Sequence, residues 1–160
     1  MLKLGIRSKQ GTLSQEICVI EQTWFICTIA REGLHNWEIC KQYSIWGIPS
    51  NGRNIGITPP KINDSLIIYH AGSGIKAICQ VTASWKSPSS KDEAPWAGGI
   101  FRYGKVVPFK IIHELEEPMR VYFESNKIKD TQINLTTLRR GFGIVSKKDG
   151  LHLAKLLKSN

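Results

Sequence analysis

The sequence predicts an α+β fold in which a small, strongly curved β-barrel is flanked by helices. Apolar runs rich in β-branched and aromatic residues recur along the chain, whereas a helical spacing of apolar residues occurs only once early and once late. The predicted strands are short, and short curved strands tend to close into a small barrel. At 160 residues, 41% of them hydrophobic, the chain is long enough for one domain with its own core.

The chain is expected to begin with an extension and to enter its domain at a buried strand. Residues 1–22 are mixed and polar, and we interpret them as an N-terminal extension or an extra edge strand; the domain is expected over 23–160. Trp24–Ile29 is β-branched and aromatic, which predicts a buried strand. A short helix is predicted next, because apolar residues recur along one face. They are Leu34, Trp37, Cys40 and Tyr43, and the tryptophan is expected in the core.

The middle of the chain is predicted to contain a β-hairpin between two loops. Residues 66–70 and 75–81 are strand-like runs, and the Gly72-Ser73-Gly74 segment between them is typical of a tight turn. Residues 51–60 and 88–95 are rich in turn-forming residues, which predicts loops, the second long and exposed.

The last part of the chain is predicted to form a strand and a helix. Residues 106–113 are expected to be the strand, and the acidic residues that follow, Glu114, Glu116 and Glu117, to be a solvated face. Ser146 is a predicted N-cap with Asp149 at the capping-box position, so a helix is expected to begin there. The residues expected on its core side are Leu151, Leu153, Ala154 and Leu157.

The composition of the chain favours an anionic binding partner and argues against a membrane, a metal or another cofactor. The chain has 22 Lys and Arg against 13 Asp and Glu, a net charge of +9, which favours an anionic partner. It shows no bilayer-spanning apolar run, no polybasic amphipathic helix and no signal-peptide core, so we expect a cytoplasmic protein without a membrane partner. None of its four cysteines forms a C-x-x-C pair and its four histidines lack ligand spacing, so reduced thiols, no metal and no other cofactor are expected.

Three tryptophans lie beside turn-forming residues rather than within an apolar stripe. They are Trp46, Trp85 and Trp96. Indoles at such positions can converge into a cage that holds a flat or methylated group by stacking, or by cation–π attraction if the group is charged. Together with the basic composition they favour a nucleic acid as partner. The alternative for each tryptophan is that it packs beneath its own loop.

Four segments carry a resemblance to a known family. Trp24–Ile29, Asn36-Trp37, 45–49 and 62–69 resemble the corresponding segments of an EVE domain of the PUA-like superfamily, and also those of the related YTH domains. The resemblance covers about 23–157 and is most specific in the first half. It implies a small curved β-barrel flanked by helices that recognises a modified base without catalysis. YTH domains hold N6-methyladenine in an aromatic cage, and some EVE domains belong to modification-dependent restriction systems.

The resemblance also implies roles for individual residues. The walls of the cage would be Trp46, Trp85 and Trp96. Asn36 would read the base edge, the backbone N–H of Gly47 would contact the base, and Glu32 would offer its backbone carbonyl. The resemblance matches Arg139 and Arg140 to a basic segment that would touch phosphate. Apart from the resemblance, Arg31, Arg53 and Lys86 are also expected to bind phosphate.

The predicted function is therefore a non-enzymatic reader of a modified nucleobase in DNA or RNA, with N6-methyladenine favoured over a modified cytosine. Such a reader would suit the specificity domain of a restriction system, with a fused or separately encoded NTPase or nuclease as effector. One alternative is an RNA-binding PUA-like module that recognises shape, with the tryptophans in its core. Another is a nuclease or other nucleic-acid enzyme, although no nucleophile–base pair stands out in the sequence.

Overall fold

The structure is a computed structural model that describes residues 22–51, 54 and 56–160. Apart from residue 22, the predicted N-terminal extension lies outside the described residues, and so does Arg53. No helix in the described ranges is long and apolar enough to cross a membrane.

Within the described ranges, six strands form the main sheet, and two very short strands form a separate hairpin. The main strands are β1 (Trp24–Ile29), β2 (Ile45–Pro49), β3 (Ser65–His70), β4 (Gly74–Val81), β5 (Tyr103–Met119) and β8 (Phe142–Val145). The hairpin consists of β6 (Phe123–Glu124) and β7 (Lys127–Ile128). The helices are α1 (Leu34–Tyr43), α2 (Gly99–Arg102), α3 (Leu135–Arg139) and α4 (Lys147–Lys158).

The main sheet is a strongly curved half-barrel. Its strand order is β2-β5-β4-β3-β1-β8, with β1 and β3 parallel and every other neighbouring pair antiparallel. The long strand β5 produces much of the curvature, because its first part pairs with β2 and its remainder with β4, with register shifts along both pairings. The predicted α+β class and strong curvature are confirmed, while the sheet, among the described residues, ends at β2 and β8 instead of closing into a complete barrel.

Hydrophobic clusters cover both faces of the central strands. On the inner face Phe25, Cys27 and Leu66 pack with Trp37 of α1, and Phe25 stacks on Phe142 with ring centroids 5.1 Å apart. On the outer face, buried residues of β1 and β3 pack with Leu153 and Leu157 of α4. This two-sided burial explains why both strands are apolar at nearly every position rather than alternating.

Both predicted helices form, but the predicted buried face of α1 holds only at its centre. In α1, Trp37 and Cys40 are buried as predicted, whereas Leu34 and Tyr43 are exposed. A spacing of exactly three residues drifts around a helix of 3.6 residues per turn, so the first and last of the four point to opposite sides. In α4, Ser146 accepts a hydrogen bond from the Asp149 N–H at 3.1 Å, which confirms the predicted cap.

Two other sequence predictions are corrected by the structure, and the placement of Trp46 is defined more closely. Leu151 was expected in the core of α4 but is exposed. The segment 45–49, in which Trp46 lies beside turn-forming residues, is the edge strand β2. Proline is tolerated at the end of an edge strand, because no partner there requires its missing N–H. The loop 88–95 is anchored by buried residues, Pro88 and Ala94, rather than being exposed throughout.

Candidate functional site

A cavity of about 560 Å³ lies between the two edges of the half-barrel. Trp46 and Gly47 of β2 line one side, and Gly141, which precedes β8, lines the other. The rest of the wall is formed by the ends of β1 and β3, by the start of α1 and by α3. Cavities of several hundred Å³ commonly hold organic ligands the size of a nucleotide. The open side of the half-barrel therefore provides a site of that capacity.

Aromatic side chains form much of the wall, and a glycine allows their close packing. Trp46 and Trp96 are both buried, and the Trp96 ring packs against Tyr103 with centroids 5.0 Å apart and planes tilted by 58°. A Cβ on Gly47 would lie 2.7 Å from the Trp96 ring and 2.8 Å from the Tyr103 ring. Only glycine lets both rings lie directly against the β2 backbone here.

Trp37 forms part of the cavity wall, and a hydrogen bond to the Glu114 carboxylate holds its ring in place. Its indole N–H donates to Glu114 at 2.8 Å, and its ring stacks on Phe109 at 5.9 Å. Lys41 lies 3.3 Å from the same carboxylate. Burial acts to lower the pKa of Lys41, but Glu38 and Glu114 outweigh it and raise that pKa. Glu114 is thus a partner of the cavity wall, which corrects its prediction as part of a solvated face.

Several buried polar atoms around the cavity have no hydrogen-bond partner within the described protein. They are Thr28 Oγ1, Asn36 Oδ1, Trp46 Nε1 and Arg140 Nε. Such an atom costs about 1–3 kcal/mol when left unpaired, so a ligand that pairs with it gains that amount. The indole N–H of Trp96 differs, because it already donates to the Cys40 thiol. A ligand in the cavity could therefore accept a hydrogen bond from the indole N–H of Trp46 and donate one to the amide oxygen of Asn36.

The three cysteines in the described ranges, Cys27, Cys40 and Cys79, are free and buried. Burial raises the pKa of Cys40 to about 12, although the hydrogen bond from Trp96 opposes the rise. The thiol is therefore neutral at physiological pH and serves as an acceptor in the cavity wall rather than as a nucleophile.

No group of three or more His, Cys, Asp or Glu side chains in the described ranges is placed to hold a metal ion.

Four arginines of the described residues line the cavity, and we call them the arginine rim: Arg31, Arg102, Arg139 and Arg140. Within the described part of the chain no carboxylate lies within 4.0 Å of any of them, and no lining residue is acidic. The Arg102 guanidinium lies 5.5 Å from the centroid of the Tyr103 ring. The Arg31 guanidinium packs on Gly72, where a Cβ would lie 2.9 Å from its Cζ. The rim thus presents positive charge that no carboxylate of the described residues neutralises.

Two tyrosines in the wall remain neutral phenols. Burial raises the pKa of Tyr69, against a Gly72 backbone hydrogen bond and the charge of Arg31. Burial likewise raises the pKa of Tyr103, against the charge of Arg102. Because both phenols stay protonated, the positive charge of the neighbouring arginines is not cancelled by a phenolate.

The structure brings most of the predicted site residues together. Those that line the cavity are Arg31, Asn36, Trp46, Gly47, Trp96, Arg139 and Arg140. Trp85, Lys86 and Glu32 are not among the lining residues. Two residues that the sequence did not indicate, Arg102 and Tyr103, do line the cavity.

The predicted third wall, Trp85, lies on a different part of the surface. The backbone of Lys86 pairs with Val106 of β5, which places Trp85 beside Lys105, whose ammonium is 5.5 Å from the ring centroid. Trp85 is 38% exposed, and the Lys86 ammonium lies 3.8 Å from Glu93. The aromatic residues that line the cavity are therefore Trp37, Trp46, Tyr69, Trp96 and Tyr103, without Trp85.

Comparison with known proteins supports the fold. No family model matches the chain. A UPF0310 protein from Pyrococcus horikoshii is 38% identical over 47 residues, which are 29% of this chain and only 30% of that protein. A hypothetical protein from Leishmania major superposes with a TM-score of 0.61 at 14% identity, covering 87% of this chain and 96% of that one.

Solved YTH domains are also similar in structure. The Toxoplasma CPSF4 YTH domain, in complex with a 7-mer m6A-modified RNA, superposes with a TM-score of 0.56 at 14% identity, covering 86% of this chain and 92% of that one. The Pho92 YTH domain, in complex with m6A, superposes with a TM-score of 0.55 at 14% identity, covering 86% and 84%. At such low identity these matches show the fold alone, and that fold is similar to the YTH domain.

Proposed function

We propose that this chain is a non-enzymatic reader that binds a modified nucleobase of a nucleic acid in the cavity between β2 and β8. The observation that carries the proposal is the combination of an aromatic wall with unpaired polar atoms. Trp46 and Asn36 leave a buried donor and a buried acceptor open, while the arginine rim surrounds the entrance. A planar base with a polar edge, attached to a phosphate backbone, matches all three features.

The energies of the individual steps support a reader of moderate selectivity. Unstacking a base costs a few kcal/mol, and least in a single strand. Stacking on aromatic side chains returns about 1–3 kcal/mol per base. A single methyl group that fills the cavity adds about 1 kcal/mol. We therefore expect a clear but limited preference for the modified base over its unmodified form.

The two open hydrogen-bonding atoms support N6-methyladenine as the preferred base. This base keeps one N6–H that can donate to Asn36, and its ring nitrogen N1 can accept from Trp46. A modified cytosine offers a similar donor and acceptor, but its smaller ring leaves more of the aromatic wall uncovered. The YTH domains of similar fold that were solved with m6A or m6A-modified RNA support the same choice.

We further propose that the chain is an EVE-type domain that directs an effector, such as a restriction NTPase or nuclease, to modified sites. Its support is the resemblance of the segments around Trp24–Ile29 and Trp46 to EVE domains. Such an effector would convert binding at a modified site into a biological response.

A binding panel tests the proposed function. Single- and double-stranded oligonucleotides bearing N6-methyladenine, 5-methylcytosine or 5-hydroxymethylcytosine are compared with unmodified strands, as DNA and as RNA. We expect N6-methyladenine in a single strand to bind most tightly. Equal affinity for modified and unmodified structured RNA would instead indicate a shape-specific module, and turnover of an oligonucleotide would indicate an enzyme.

The role of Asn36 is tested by its alanine variant. Asn36→Ala removes the open acceptor, so the N6-H of the preferred base is left unpaired, and the affinity for that base should fall by about 1–3 kcal/mol. Competing bases should lose less, so the ratio of affinities across the panel should shrink. The melting temperature, measured in parallel, serves as the control. A constant ratio together with a lower melting temperature would show that Asn36 is structural only.

A further inference from the structure

A fully exposed aromatic side chain lies beside the cavity. Phe101 is 91% exposed, the highest value among the large hydrophobic side chains in the described ranges. Residues close to it in sequence line the cavity on both sides: Trp96 precedes it, and Arg102 and Tyr103 follow it. Phe101 therefore belongs to a segment that begins and ends in the cavity wall.

The backbone of this segment is fastened at both ends. The N–H of Gly99 donates to the carbonyl of Trp96 at 3.0 Å, and the N–H of Ser50 donates to the carbonyl of Arg102 at 2.8 Å. Gly98 and Gly99 adopt φ values of +90° and +50°, which allow the backbone to turn sharply where α2 begins. Phe101 is thus held at the edge of the cavity by a short, constrained turn, although its ring contributes almost nothing to the core.

The residue next to Phe101, Arg102, indicates the kind of ligand that suits this part of the surface. Consecutive Cα atoms are about 3.8 Å apart, so the phenyl ring and the Arg102 guanidinium project from neighbouring points of the same turn. An aromatic ring beside an arginine is the combination that binds single strands, because the ring stacks on a base and the cation binds the adjoining phosphate. Arg102 has no carboxylate partner within 4.0 Å among the described residues, so its charge is available to a phosphate.

Resting on the proposed function, we propose that Phe101 stacks on the base adjacent to the one in the cavity, with Arg102 on the phosphate between the two. A modified base with at least one neighbouring nucleotide in a single strand is then bound more tightly than the free nucleotide, which makes only the cavity contacts. Because every base has a π face, this contact adds affinity without selecting the identity of the neighbour.

The proposal is tested with Phe101→Ala and two ligands. One is N6-methyladenosine 5′-monophosphate, and the other is a single-stranded oligonucleotide with N6-methyladenine at its centre and the fluorescent base 2-aminopurine on its 5′ or 3′ side. In the native chain, binding should quench 2-aminopurine at one of these positions. Phe101→Ala should remove the quenching and weaken oligonucleotide binding by about 5- to 100-fold, while mononucleotide binding and the melting temperature stay unchanged. Phe101→Trp should retain both the quenching and the affinity.

Tyr122→Ala is the matched control, because Tyr122 is also an exposed aromatic, at 63%, but is not a cavity-lining residue. It should change neither ligand's binding. If the native chain binds both ligands and Phe101→Ala binds the oligonucleotide equally well with the same quenching, the stacking proposal is wrong and the reader function stands. If the native chain binds neither ligand, both proposals are overturned.

Discussion

Replacing Trp96 by alanine is expected to lower the free energy of unfolding by about 3–5 kcal/mol, the usual cost of deleting a buried large aromatic side chain. Trp96 is 2% exposed, packs against Tyr103 and Gly47, and donates its indole N–H to Cys40. It is therefore both a wall of the cavity and a member of the inner core. Chemical denaturation followed by circular dichroism measures the change.

Trp85→Ala is the matched control for this prediction. Trp85 is 38% exposed and contacts Lys105 rather than the inner core, so its loss should change stability by no more than about 0.5 kcal/mol. Nucleic-acid affinity should also be retained in this variant, because Trp85 lies outside the cavity lining. Equal losses of stability in the two variants would contradict the placement of these tryptophans.

Removing the arginine rim is expected to abolish most of the affinity for nucleic acid. If each of the four arginines binds one phosphate of a single strand, the slope of log affinity against log salt is about −3 for the native chain. Each single Arg→Gln change should reduce the magnitude of this slope by about 0.7, and the fourfold variant should show almost no salt dependence. Modified and unmodified strands should weaken alike, because phosphates carry no base identity. Titrations between 50 and 200 mM salt measure the slope.

Lys86→Gln provides the control for the arginine series. Lys86 was predicted to bind phosphate, but its ammonium lies 3.8 Å from Glu93 and outside the cavity. Its replacement should leave the slope unchanged. A native slope near zero would mean that no phosphate is bound at the rim, and a small molecule or a protein would then be the ligand to test.

Several elements could be predicted from the residues adjacent to them in sequence. The apolar run Trp24–Ile29, the Gly72–Gly74 turn and the Ser146 cap each specify their structure from neighbouring residues. The burial of β1 was predicted from its apolar run, whereas the burial of β1 and β3 on both faces was seen only in the structure. These elements, together with the resemblance, were enough to predict the α+β class and its curvature.

The site was predicted only in part, because its geometry depends on long-range pairing. Pairing of β2 with β5 places Tyr103 opposite Pro49 and brings Arg102 to the rim, and nothing near Arg102 in sequence signals this. The resemblance placed Trp46, Trp96 and Asn36 in one site, and the structure brings them together. It failed to place Trp85, because the Lys86–Val106 pairing directs that segment along the other side of β5.

The open indole N–H of Trp46 offers the most direct measurement of base binding in the cavity. The chain has five tryptophans, so a ¹⁵N-labelled sample gives five indole N–H signals, which single Trp→Phe variants can assign. On addition of N6-methyladenosine 5′-monophosphate, the Trp46 signal should shift most, because its unpaired donor gains a partner. The Trp96 signal should shift through ring stacking, and the Trp85 signal should stay in place. A shift confined to Trp85, or no shift at any tryptophan at saturating ligand, would contradict a base-binding cavity between β2 and β8.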